Sequence, residues 1–185
     1  MSAEEFVEWA TLQPEGTRYE LEAGQVVSMA SERLLHALTK LKVARRLEDA
    51  VARAGLACDV LPDGMAVRVD ADTVYEPDAQ VRCGPPLPDD AILVTDPVVV
   101  VEVRSPSTGG RDAHAKMDGY FRLPSVRHYL VVIADAQTII HHARGEGGRI
   151  ATAIVRDGPV ALDPPVMVLD GVWPIRPASD GSTPA

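Results

Sequence analysis

The sequence predicts an α/β (α+β) domain in which helices flank a mixed β-sheet. Three observations carry this. Residues 34–51 repeat apolar side chains at helical spacing. Pro97–Val103 is a continuous apolar run of the kind buried on both faces of a sheet. Several shorter β-branched runs, separated by Gly and Pro, surround that run. The length, 185 residues, suits a single domain, expected over residues 1–175. With 46% hydrophobic and 24% charged residues, wholesale disorder and a disulfide-stapled miniprotein are excluded.

Along the chain, Ser2 with Glu5 three positions later marks the start of a short amphipathic helix over 2–9. Arg18–Met29 reads as a hairpin turning at Ala23-Gly24. Ser31 is expected to cap a helix over 32–54, with Leu34, Leu35, Leu38, Leu41, Ala44, Arg45, Leu47 and Val51 as one broad stripe and Gly55 as its stop. Val60-Leu61 and Met65–Val69 form strands around the Pro62-Asp63-Gly64 turn. Thr73–Val81 is a strand interrupted by Pro77, and the Pro-rich segment 84–91 is a loop. After the apolar strand, Ser105–Gly110 makes a break and a helix runs from Arg111 to Leu123. His128–Ile133, Thr138–His142, Ile150–Val155 and a segment around Val166–Val168 complete the sheet, and 176–185 reads as a disordered tail.

Twenty-seven acidic residues against 18 basic ones give a formal charge of −9. Phosphate binding needs clustered cations, so a nucleic-acid role requires a local basic groove or bound metal ions. Fifteen of the cations are Arg; the lysines are Lys40, Lys42 and Lys116. Cys58 and Cys83 have no metal-site spacing and are expected as free buried thiols in a cytoplasmic protein. No run of about 18 uncharged apolar residues is present to span a membrane, and the acidic start lacks a signal-peptide pattern. Ser105 and Ser107 suit turn chemistry, and Thr108-Gly109-Gly110 lacks the ending of a phosphate loop. His141 and His142, adjacent on a strand, face opposite ways and cannot share a metal.

Chemistry concentrates at three residues. Glu102 follows four valines, and a carboxylate in so apolar a strand is costly unless paired, hydrogen-bonded or metal-bound. The alternative is that Glu102 sits at the strand's C-terminal mouth, solvated or bridged to Arg104. Asp78 follows Pro77, whose kink can aim it toward Glu102; alone, it reads as a strand-end residue. Together the two make an oxygen-rich site suited to Mg²⁺ or Mn²⁺. Lys116 shares a helix face with Asp112 and Tyr120, which fits either a water-orienting cation or an exposed pair with Asp112.

Pro77-Asp78 followed by Glu102-Val103-Arg104 resembles the PD-(D/E)-x-K nuclease signature. The ordered set Tyr19–Gly24, Met29–Ser31 with His36, Glu76–Asp78, Val101–Thr108, Asp112 with Lys116 and Tyr120, and Val126–Val131 resembles the Uma-two family of restriction-endonuclease-like proteins. The resemblance implies a restriction-endonuclease-like mixed sheet flanked by helices and divalent-metal-dependent hydrolysis of nucleic-acid phosphodiesters. Asp78 and Glu102 would be catalytic metal ligands, with the Val103 carbonyl as a third and Mg²⁺ or Mn²⁺ as the ion. The superfamily's lysine position is Arg104 here, and a fixed guanidinium does not simply replace a lysine. Lys116 is then a migrated catalytic lysine, with Glu20, His36, Arg104 and Tyr120 as outer or substrate-positioning groups. DNA as substrate and a homodimeric state are further implications. The rival reading is a catalytically inactive dimeric module that keeps the nuclease fold for binding.

Overall fold

The computed structural model describes residues 1–104 and 110–173, and their side chains apart from those of 110–113. The expected turn at 105–109, the side chain of Asp112 and the tail 176–185 lie outside the described residues.

The chain opens with helix α1 (Ala3–Thr11), where Ser2 and Glu5 make the reciprocal capping box that their spacing predicts. Strands β1 (Tyr19–Glu22) and β2 (Gln25–Ser28) form the hairpin, and its two turn residues, Ala23 and Gly24, both take positive φ. Helix α2 (Leu34–Ala54) ends at Gly55 in the left-handed conformation. There follow β3 (Cys58–Pro62), β4 (Ala66–Arg68), β5 (Val74–Tyr75), β6 (Ala79–Cys83), β7 (Leu93–Val94) and β8 (Val99–Arg104). Helix α3 (Gly110–Tyr120) leads to β9 (His128–Ile133), β10 (Thr138–Arg144), β11 (Ile150–Val155), β12 (Val160–Leu162) and β13 (Met167–Leu169).

The mixed α+β architecture agrees with the sequence reading, but the strands divide among three sheets. The order is β11-β10-β9-β8-β6-β3 in the largest sheet, β2-β1-β5-β4-β7 in the second and β12-β13 in a separate ribbon. Pro77 sits where the chain leaves one sheet for another, between β5 and β6. Proline has no N–H to donate to a ladder, so a sheet boundary is where it costs least. The segment around 166–168 belongs to the ribbon and does not finish the main sheet. The short strands β7 and β12 went unanticipated because two or three residues carry no readable period.

β8 is central and all six of its residues are buried. It pairs in parallel with β9, and α3 is the crossover that such a pairing requires. One face of β8 presents Val99, Val101 and Val103 to a core built with Val43, Leu47, Ala50 and Val51 of α2. The other face presents Val100 to Tyr75, Tyr120 and Tyr129. Burying this apolar surface is the main stabilising contribution.

Three further expectations need correction. The buried face of α2 is Thr39, Lys40, Val43, Leu47, Ala50 and Val51, whereas Leu34 is 70% and Leu41 50% exposed. The buried face is rotated from the leucine stripe, because it takes in Lys40, whose ammonium is paired with carboxylates. The cap residue is Arg33 rather than Ser31, and no side chain caps that end. Cys58 and Cys83 are joined as a disulfide. Antiparallel pairing of β3 with β6 sets them directly opposite with Cα atoms 4.1 Å apart, a register that 25 residues of separation conceal.

His141 and His142 do face opposite sides: His141 Nε2 lies 2.9 Å from His128 Nδ1, and His142 Nδ1 lies 2.8 Å from Thr152 Oγ1. His128 is buried, and its Nε2 accepts the Asp163 N–H at 3.0 Å. Burial, and then the proximity of His141, push His128 down to about 4. Between that value and an ordinary histidine pKa, the unfolded chain binds a proton that the folded chain refuses. Stability present above about pH 6.5 is therefore lost as the pH falls toward about 4, by on the order of 2 kcal/mol. Urea unfolding from pH 7 to pH 4.5 should show this loss, and His128→Leu should flatten it.

Candidate functional site

The C-terminal end of β8 and the start of β6 bring the two expected carboxylates to one groove of about 470 Å³, lined among others by Glu20, His36, Asp78, Glu102, Val103 and Arg104. Asp78 stands one residue before β6, just beyond the Ala79–Val101 pair, and its Oδ2 accepts the Val103 N–H at 2.5 Å. This bond ties the aspartate to the strand that bears Glu102. Both carboxylates are almost wholly buried, at 6% exposure each, so the solvated-strand-end reading of Glu102 fails.

The helices on the two faces of the sheet supply the compensating charge. From α3, the Lys116 ammonium reaches Glu102 Oε1 at 3.2 Å and Glu20 Oε1 at 2.8 Å, and the Tyr120 hydroxyl donates to Glu102 Oε1 at 3.1 Å. Lys116 is 6% exposed, so it is not a solvent-exposed helix cation. Glu20 also accepts the Glu76 N–H at 2.7 Å, which fixes the first hairpin to the site. Close approach of α3 depends on Gly119, where a Cβ would lie 2.6 Å from the Tyr75 ring. From α2, Lys40 Nζ lies 3.0 Å from Asp78 Oδ1 and His36 Nε2 lies 3.7 Å from Asp78 Oδ2.

These surroundings separate the two acids electrostatically. Burial pushes Glu102 up to about 7; the Lys116 ammonium opposes this, while the charges of Asp78 and Glu20 add to it. Burial also works against ionised Asp78, but His36, the Lys40 ammonium and the Val103 N–H outweigh it and hold that carboxyl below its usual value. Burial would lower Lys116, yet Glu102 and Glu20 beside it raise it well above an ordinary lysine. Lys116 is therefore a protonated ammonium at every physiological pH.

Glu20, His36, Asp78, Glu102, Val103, Arg104, Lys116 and Tyr120 all reach this region, Lys116 and Tyr120 through Glu102. Sequence reasoning missed Lys40, Glu32, Asp63, Glu76 and Arg18. The Arg18 guanidinium bonds both Glu76 and Asp63, and Lys40 bonds Glu32 and Asp63. The available signal was compositional: two of only three lysines are buried here. Among the described residues, donor atoms of Glu32, His36 and Asp78 lie within 4.8 Å of one another and could hold a metal ion. That group adds an imidazole nitrogen to a site expected to be all oxygen.

A crystal structure titled as a putative nuclease belonging to DUF820, from Anabaena variabilis, shares this fold: the TM-score is 0.72 at 13% identity, covering 89% of this chain and 90% of that one. The family described as "Uma2: Putative restriction endonuclease" matches residues 3–177, and the chain belongs to that family. An uncharacterized protein of Synechocystis sp., slr1290, is 26% identical over 149 residues, 80% of this chain and 76% of that protein.

Removing the α3 cation tests the electrostatics. Lys116→Met leaves Glu20 and Glu102 buried without their shared partner and should cost about 3 kcal/mol at pH 8. Glu102 then rises further, and a carboxyl raised in the folded state loses its contribution as the pH climbs through that value. The destabilisation measured by urea unfolding should be smaller at pH 5 than at pH 8.

Proposed function

We propose that the chain is a divalent-metal-dependent endonuclease that hydrolyses phosphodiester bonds of DNA, using Mg²⁺ or Mn²⁺. The observation that carries this reading is the convergence of two buried carboxylates, Asp78 and Glu102, on one groove beside the Lys116 ammonium. Carboxylate oxygens suit a hard divalent ion, and the cost of burying two like charges is relieved by a cation between them. Asp78 and Glu102 would hold the ion, with the Val103 carbonyl as a further donor. When bound, such an ion supplies Lewis-acid stabilisation of charge developing on a phosphoryl oxygen.

The protein's own groups do the rest. Lys116, permanently protonated, does not act as a base; it orients water beside Glu102 and offsets negative charge as the phosphoryl group reacts. Glu20 and Tyr120 hold Lys116 and Glu102 in that relation. Arg33 and Arg104 line the groove and offer local positive charge to phosphates, which a chain of net charge −9 needs. The second reading, an inactive binding module, is favoured by one fact: Lys40 and Lys116 already serve as counter-ions to Asp78 and Glu102. Both readings include a homodimer, with the exposed Leu34, Leu38 and Leu41 face of α2 available for pairing.

Metal linkage is one check. Binding to the folded state alone adds about 2.7 kcal/mol at a hundredfold excess over Kd. Mn²⁺ should therefore raise the melting temperature of the wild type and leave Glu102→Gln unmoved; equal shifts in both would remove Glu102 from the site. The second check is a nicking assay on supercoiled plasmid with Mn²⁺. Lys116→Ala should lower the rate about 10²–10³-fold at saturating Mn²⁺, with Arg104→Ala as the control. Failure of the wild type to cut any DNA or RNA would favour the binding module. Light scattering should give twice the 19.8 kDa chain mass.

A further inference from the structure

Lys40 is a cation enclosed by three carboxylates from three parts of the chain. Its Nζ lies 2.5 Å from Glu32 Oε1, 2.8 Å from Asp63 Oδ2 and 3.0 Å from Asp78 Oδ1, at 5% exposure. Glu32 precedes α2, Asp63 sits in the turn after β3, and Asp78 precedes β6. Three carboxylate oxygens around one buried point form an all-oxygen cradle of the kind that a hard divalent ion takes, here at the longer spacing of a bound ammonium. Asp78 is the shared wall: its Oδ1 faces Lys40, while its Oδ2 takes the Val103 N–H on the side of Glu102. A second cavity of about 200 Å³, lined by Lys40, Asp63 and Asp78, lies against the groove at this wall.

We propose that Lys40 is a resident cation: its ammonium fills the position beside Asp78 that a second divalent ion would take, and so makes this a one-ion centre. Hydrolytic sites with two metals set them about 3.5–4 Å apart, bridged by a shared carboxylate. Here one of the two neighbours of Asp78 is a covalently supplied monovalent charge. It cannot be lost to chelation, and it holds Asp78 in place without accepting substrate oxygens. The ion-count part of the proposal rests on the reading of Asp78 and Glu102 as metal ligands. The cradle itself does not.

Counting Mn²⁺ per chain by calorimetry and electron paramagnetic resonance, on the full metal-stripped protein, tests both parts. The wild type and Lys40→Arg should bind one ion. Lys40→Gln empties the cradle and should bind one more, and adding Asp63→Asn should remove that extra ion. An unchanged count in Lys40→Gln overturns the proposal, as does a wild type that binds two ions of similar affinity. If Lys40→Gln does not fold alone, Mn²⁺ must restore its melting transition, and must fail to do so in Lys40→Gln/Asp63→Asn; any other pattern overturns the cradle. A wild type that binds no Mn²⁺ while Lys40→Gln binds one upholds the cradle and instead overturns the metal reading of Asp78 and Glu102.

Discussion

The structure turns on the burial of two carboxylates at the end of an apolar strand. Asp78 and Glu102 sit where the four buried valines of β8 and the apolar clusters on both faces of its sheet exclude water. An ionised group there is tolerated only with compensating charge and hydrogen bonds. The fold supplies these from both faces: α3 delivers Lys116 to Glu102, and α2 delivers Lys40 to Asp78. Each helix thus has an electrostatic duty beside its apolar packing, and the two duties fix where the helices lie along the sheet.

The remaining architecture serves that arrangement. Parallel pairing of β8 with β9 demands the α3 crossover, which returns a lysine to the carboxyl end of the strand it has just left. The sheet change at Pro77 frees Asp78 from ladder pairing, so that its side chain can accept the Val103 N–H. The β1–β2 hairpin contributes Glu20, and the Arg18 guanidinium fastens the approach to that hairpin to Glu76 and Asp63. The result is an alternation of acid and base: Glu20, Lys116, Glu102, then Asp78, Lys40, Glu32 and Asp63. A strongly acidic chain concentrates several of its buried cations in this one place.

This alternation also gives the two candidate acids different characters. Glu102 retains its proton up to about pH 7 because burial and two neighbouring acids outweigh one ammonium. Asp78 stays ionised because it has an ammonium, an imidazole and a backbone N–H around it. Two carboxylates of one groove driven apart in this way are a recurring mark of functional sites, where environment assigns roles that residue type does not.

The amino-acid sequence by itself determined the elements whose cause is local. The capping box at Ser2 and Glu5, the turn at Ala23-Gly24, the stop at Gly55 and the all-buried strand that bears Glu102 follow from short-range hydrogen bonding, φ preference and apolar run length. Asp78, Glu102 and Lys116 were legible for a related reason: an acid after a valine run, an acid after proline and a rare lysine each break a local pattern. Only the tertiary structure decided which face of α2 is inside, because Lys40 is buried by three carboxylates that lie 8, 23 and 38 residues from it in sequence. The Cys58–Cys83 bond and the grouping of strands into three sheets belong with it. Register and charge pairing between distant segments are set by the summed free energy of the whole packing, and no local stretch of chain encodes that sum.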